Sequence, residues 1–158
     1  GIFGKPRKLV TDATKRLCSA INEGEPKSTV KYILMNTVGN RNRDLPEKIS
    51  FSEKCIIWLL RLLVPPHIDN EEAADFLRTK IGQDDNTIKW VVVRPSSLIG
   101  EEDVSEYKTH PSPTRSAIFN DGKVSRVNVA AFMNKLITDQ NLWEKWKGQM
   151  PVIYNKEK

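Results

Sequence analysis

The chain has 158 residues, 39% of them hydrophobic and 28% charged, with 25 Lys and Arg against 20 Asp and Glu and a formal net charge of +5. That length fits one domain spanning residues 1–158, able to bury roughly two-thirds of its unfolded surface without a disulfide framework. No apolar run reaches the roughly eighteen residues of a membrane-spanning helix, so a spanning segment is excluded and no membrane partner is expected.

The start of the chain has no charged-then-apolar signal pattern, which points to a cytoplasmic protein. Gly1-Ile2-Phe3-Gly4 opens it without an initiator methionine, as in a processed product or part of a longer protein. Lys5, Arg7, Lys8, Lys15 and Arg16 form a basic cluster near this end. Because basic residues elsewhere alternate with Asp and Glu, the cluster reads as a solvated helix face, and nucleic acid is not an expected partner.

Residues 6–23 place Leu9, Val10, Ala13, Leu17, Ala20 and Ile21 at helical spacing, with Pro6 near the first turn and Gly24 near the stop. The helix is expected to cover one face of a sheet. "VKYILMNTVG" follows as a buried strand over 30–36 that opens into a polar loop. In "ISFSEKCIIWLLRLLVPP", Ser50 and Glu53 make a capping box and Pro65-Pro66 read as the stop. The apolar helix between them, residues 52–64, is expected in the core or at an interface with a second copy or another chain.

Asp69 or Asn70 is the expected cap of a helix running to Ile81, with Gly82 as its stop. "IKWVVV" is a second buried strand over 89–94, rich in β-branched residues. From Gly100 to Lys123 the pattern is irregular: "THPSPTRS" reads as a surface loop and "AIFN" as a short strand before an Asp121-Gly122 turn. "SRVNVAAFMNKLITD" restores helical spacing, Trp143 to Trp146 reads as a short turn, and "MPVIYN" contains a last strand over 151–154. Strands separated by helices imply parallel crossovers, hence an α/β layered fold with the strands over 30–36, 89–94 and 151–154 in one parallel sheet.

Cys18 and Cys55 lie far apart inside helical runs and read as reduced thiols at or near the core. A catalytic cysteine would need a histidine partner. His67 and His110 stand beside prolines in expected loops, and no His, Cys or carboxylate pair has metal-ligand spacing on one helix face. No metal site is expected. In a parallel α/β sheet, ligands bind beyond the carboxyl ends of the strands. Here those ends are Asn36-Thr37-Val38 and Arg94-Pro95-Ser96-Ser97-Leu98.

The order of these segments resembles the later half of the atypical short-chain dehydrogenase/reductases, the NAD(P)-binding group that includes NmrA-like and flavin-reductase-like proteins. The order is a strand ending in a small polar pair, a helix with Phe76 and Lys80 four apart, then "VVVRPSSL" and "SRVNVAAFM". The resemblance runs from about residue 6 to the end. It implies a Rossmann-like parallel sheet flanked by helices, with NAD or NADP as the dinucleotide partner. No G-x-G-x-x-G occurs in the chain, so the first βαβ half with its phosphate-cradling loop is not encoded here.

Carried onto this sequence, Asn36 and Thr37 match the position of the family's catalytic Ser or Thr, with Thr37 the better match. Phe76 falls on the catalytic tyrosine and Lys80 on the lysine. Pro95, Ser96, Ser97 and Leu98 match the loop along the nicotinamide, and Val38 joins Asn36, Thr37 and Lys80 among the expected cofactor contacts. A phenylalanine has no proton to give a developing alkoxide, so the resemblance implies an oxidoreductase in a fuller form and an inactive chain alone. Two alternatives stay open. The protein is a non-catalytic NmrA-like module that senses cofactor or binds a partner, or the 74–80 stretch is an ordinary helix with Phe76 in the core and Lys80 in solvent.

Overall fold

The computed structural model describes residues 4, 5 and 7–156. Its main sheet has four strands, β1 (Val30–Met35), β2 (Ile88–Pro95), β6 (Val152–Asn155) and β4 (Tyr107–His110), in the spatial order β1-β2-β6-β4. β1 runs parallel to β2 with Val30 opposite Ile88 and Met35 opposite Val93, and β2 runs parallel to β6. Only β4 is antiparallel, pairing Tyr107 with Asn155. The expected three-stranded parallel sheet is present, and β1 forms its edge.

β2 explains why this sheet is buried on both faces. Its side chains alternate, so Ile88, Trp90 and Val92 point to one layer while Val91 and Val93 point to the other. The first layer is α1 (Leu9–Glu23) with α3 (Pro65–Phe76), which contribute Cys18 and Ala74, followed by Leu77. The second layer is α4 (Arg126–Thr138) with α5 (Gln140–Trp146), which contribute Phe132, Leu136, Trp143 and Trp146. Val91, Val92 and Val93 are wholly buried. Each fully buried valine contributes about 1.5–3 kcal/mol relative to an exposed one, so a polar residue there would cost more than most surface contacts supply.

Several boundaries differ from the sequence reading. Pro65-Pro66 open α3 rather than merely stopping α2 (Phe51–Leu63), because proline at the first helical positions loses only an N–H that has no intrahelical acceptor. His67 therefore lies in a helix, and His110 ends β4. α3 continues as one π-helical turn over Leu77–Ile81 and stops at Gly82, whose φ of 74° is a glycine conformation. Residues 117–120 are a turn, not a strand. The unforeseen strands are β3 (Ser97–Ile99) and β5 (Lys123–Ser125), a parallel pair, together with β4. The tryptophan pair belongs to α5, a helix capped by Asp139.

Two helix faces are also corrected. α1 buries Thr11, Thr14 and Cys18, whereas Leu9, Ala13, Leu17 and Ala20 are exposed. Pro6 and residues 1–3 of the opening lie outside the described residues. α2 keeps the foreseen capping box, with Ser50 Oγ accepting from Glu53 N at 3.2 Å. Its apolar stripe nevertheless faces outward, so neither that stripe nor Cys55 is core.

Candidate functional site at the strand ends

The carboxyl ends of β1 and β2 converge through backbone contacts. Asn36 N donates to Val93 O at 2.8 Å, and Val38 N donates to Pro95 O at 2.9 Å. The buried Asn36 side chain then fixes the turn: its Oδ1 accepts from Thr37 N at 2.9 Å, and its Nδ2 donates to the Asn70 carbonyl at 2.8 Å. Asn40 Nδ2 also donates to Asn36 Oδ1. Thr37 Oγ1 accepts from Gly39 N at 3.4 Å. Asn36, Thr37 and Val38 thus share one rim with Pro95 and Ser96.

Beneath that rim lies Arg94, which is completely buried. Its guanidinium donates to Met150 O at 2.7 Å, Asn40 O at 2.9 Å, Pro111 O at 3.2 Å and Glu47 Oε1 at 2.7 Å. Glu47 Oε2 in turn accepts from Asn42 N at 3.1 Å. A buried guanidinium is tolerated only when its donors are matched, and here the matching groups are three loops plus a buried carboxylate. Arg94 shapes the site from below without lining it.

His67 stands at the same rim. A Cβ built on Gly39 would lie 3.7 Å from His67 Cε1 and 3.9 Å from Thr37 Oγ1, so both side chains border the same small space. Burial is the main cause holding the imidazole below its ordinary pKa, with Arg61 adding to the effect and Glu71 opposing it. His67 Nε2 and Ser96 Oγ are buried without a hydrogen-bond partner among the described residues. Both have capacity for a polar group of a ligand.

Ser97 and Leu98 turn away into β3. Ser97 pairs with Lys123 and donates from Oγ to Asp121, while Leu98 is partly exposed. Beyond the end of β6 lies a larger hollow of about 840 Å³, walled by Ile99, Glu101, Arg115, Asp121, Tyr154 and Lys156. That size falls within the range of small-molecule pockets. Gly122 closes its floor with φ 69°, and a Cβ there would approach Tyr154 Cδ1 to 2.9 Å.

Phe76 and Lys80 are not brought to this rim. The amino-terminal part of α3 meets Asn36 through Asn70, and Lys80 lies ten residues further along the helix, about 15 Å away. The opposite end of the sheet is its neighbour, since Gly82 O accepts from Trp90 Nε1 at 2.6 Å. Lys80 is exposed there. Phe76 is half-buried against the α1 layer, its ring 5.9 Å from Lys15 Nζ. The physical reason is direction: a helix crossing back between parallel strands carries its last turn to their amino ends.

No family model matches the chain, and no curated protein matches it. Solved structures do. An oxidoreductase from Lactococcus lactis superposes with a TM-score of 0.62 at 16% identity, covering 99% of this chain and 59% of that one. A short-chain dehydrogenase/reductase from Veillonella parvula in complex with NADP gives 0.58 at 16% identity, covering 92% and 58%. A Rossmann-fold NAD(P)-binding family protein from Shigella flexneri gives 0.54 at 18%, covering 100% and 61%. At these identities the likeness defines the fold: a Rossmann-like parallel sheet flanked by helices. The chain spans about half to two-thirds of the length of the structures it matches.

Proposed function

We propose that this chain is the carboxyl-terminal portion of an NAD(P)-binding domain of the short-chain dehydrogenase/reductase type, an oxidoreductase in a longer form and inactive by itself. The observation that carries the reading is the position of β1. It is the edge of a parallel sheet, and its carboxyl end places Thr37 beside Pro95 and Ser96, where a Rossmann sheet receives its nucleotide. Asn36, Thr37, Val38 and Pro95 to Leu98 are the residues proposed to meet the nicotinamide half of NAD or NADP. Ser96 Oγ and His67 Nε2 fit such a partner, because each has unused hydrogen-bonding capacity at the rim.

The cofactor, when bound, supplies the hydride. This chain's own contribution is a Thr37 hydroxyl able to hydrogen-bond a carbonyl oxygen and a backbone wall at Pro95 to Leu98. The residues provide no Gly-rich turn for the pyrophosphate, so that part of the site belongs to a further strand and loop alongside β1, whose outer backbone groups call for a partner. A second reading, a non-catalytic NmrA-like module that senses cofactor, is favoured by one observation: Phe76 and Lys80 lie far from Thr37, which leaves no tyrosine and lysine pair at the rim.

Titration of this chain with NADPH, followed by nucleotide fluorescence alongside light scattering, tests the proposal. The expected result is weak or undetectable binding by the monomer and tight binding once an upstream half is supplied. A tight complex of the monomer alone would overturn it.

A further inference from the structure

α2 carries a second apolar face that the fold leaves uncovered. Along its 13 residues Phe51, Cys55, Trp58, Leu59, Leu62 and Leu63 recur at spacings of one and two helical turns, which places them on one face. That face points to solvent: Phe51 is 82% exposed, Leu62 67% and Trp58 65%. The inward face holds half-buried Ile56, Ile57 and Leu60 together with two charged anchors, Glu53 and Arg61. Glu53 is buried and accepts from Ser116 Oγ at 2.6 Å and Ala117 N at 3.1 Å, and Arg61 makes a bidentate pair with Glu71, both bonds at 2.7 Å. These anchors fix the rotation of the helix, so the apolar stripe cannot roll into the core.

From this arrangement we propose that α2 is a docking face for an anionic lipid bilayer, on which the helix lies in the plane of the headgroups. Charge selects this occupant. The carboxylates on and beside the helix, Glu47, Glu53 and Glu71, are all engaged inward with Arg94, Ser116 and Arg61. Lys48 and Lys54, by contrast, are exposed without a carboxylate partner among the described residues. An apolar stripe bearing Trp and Phe, bordered by lysines, is the composition of an interfacial helix.

A second copy fits less well. A helix of 13 residues is about 20 Å long and its stripe about 10 Å wide, far below the roughly 800 Å² that each partner gives a standard interface. Lys54 also flanks the stripe itself, where a two-fold contact would bring it towards its own copy. The helix is too short to span a bilayer, and among the described residues no helix is long and apolar enough to do so.

Trp58 reports on this directly. The other three of the four tryptophans, Trp90, Trp143 and Trp146, are buried, so a blue shift of emission on adding vesicles comes from Trp58. With vesicles of phosphatidylserine and phosphatidylcholine in equal parts, the intact chain should co-sediment and its emission should shift to the blue. With phosphatidylcholine alone, binding should be much weaker. Lys48→Gln and Lys54→Gln should each weaken anionic binding about fivefold, the effect of one basic residue at such a surface. Phe51→Glu should abolish binding, and because Phe51 is exposed the fold is retained, as circular dichroism would verify.

Two results would overturn the proposal: equal binding or none with the two vesicle types, or a dimer in light scattering that Phe51→Glu returns to monomer. The second would assign the face to another copy. Nucleotide binding plays no part in either measurement, so failure here leaves the dinucleotide reading standing, and the reverse holds as well.

Discussion

The two ends of the helix that begins at Pro65 treat polar groups in opposite ways. At the amino end, Asp69 is buried and accepts from Val10 N at 2.9 Å and Thr11 N at 2.8 Å, and Asn70 O takes the Asn36 side chain. At the other end Thr79 and Lys80 are exposed, and Leu77 alone is wholly buried. The first end costs conformational freedom and desolvation, offset by matched hydrogen bonds; the second is a π-helical turn whose charged Arg78 pairs with Asp44 and Asp75 near the surface. Hydrogen-bonded buried polar groups order this end of the sheet, while Ser96 Oγ and His67 Nε2 beside them keep unused hydrogen-bonding capacity.

The largest expected effect comes from breaking that polar end at its base. Arg94→Met removes the guanidinium and leaves the Glu47 carboxylate buried without its cation, which should cost about 3–5 kcal/mol. Urea denaturation would register it as a lowered midpoint at unchanged slope. The double variant Arg94→Met with Glu47→Leu should recover a large part of the loss, because the penalty lies in the orphaned charge and not in the missing pair. Equal instability of the double variant would mean that the loop carbonyls of Asn40, Pro111 and Met150 hold the rim together.

A smaller effect should follow from pH. Burial holds the His67 imidazole below its ordinary value of 6.5, so the folded state binds a proton less readily than the unfolded chain. Its contribution to stability is present above that unfolded value and is lost as pH falls below it towards the lower folded value. Stability measured from pH 7 downward should therefore fall, and His67→Leu should flatten the slope in the window just below 6.5. An unchanged slope would place the titrating group elsewhere.

How much of this was legible follows from the kind of signal each part gives. β2 and β6 are short, continuous apolar runs, the pattern that burial on both faces requires, whereas β1, expected to be buried, is only partly so because it is the sheet edge. β3 and β5 have three residues each, Ser97–Ile99 and Lys123–Ser125, and pair across a long loop, so no local periodicity announces them. The strand ends were readable in position: Thr37 follows the partly buried β1, and Pro95 ends the buried β2. His67 was missed although Pro65-Pro66 could have signalled it: the same prolines that stop one helix are well suited to start the next. The 52–64 segment is apolar nearly all round, so its sequence does not say which face turns inward; Glu53 and Arg61, through distant partners, decide that.

The smallest effect is expected at the exposed end. If Phe76 and Lys80 belonged to a dyad at the rim, Phe76→Tyr in a cofactor-bound longer form would raise a carbonyl-reductase rate by about 10²- to 10⁴-fold, and removing Lys80 would cancel the gain. The geometry gives a different expectation. Phe76 packs beside Lys15 and the α1 layer, and Lys80 sits at the amino ends of the strands, so a hydroxyl added to Phe76 lies far from Thr37. Phe76→Tyr should leave the rate unchanged. Lys80→Ala should alter stability by less than about 0.5 kcal/mol, as surface substitutions away from special features do. Nucleotide affinity of the longer form should not change with either substitution. A rate increase from the tyrosine variant would require the helix to reach the rim by its other end, and with it a different seat for Asn70 against Asn36.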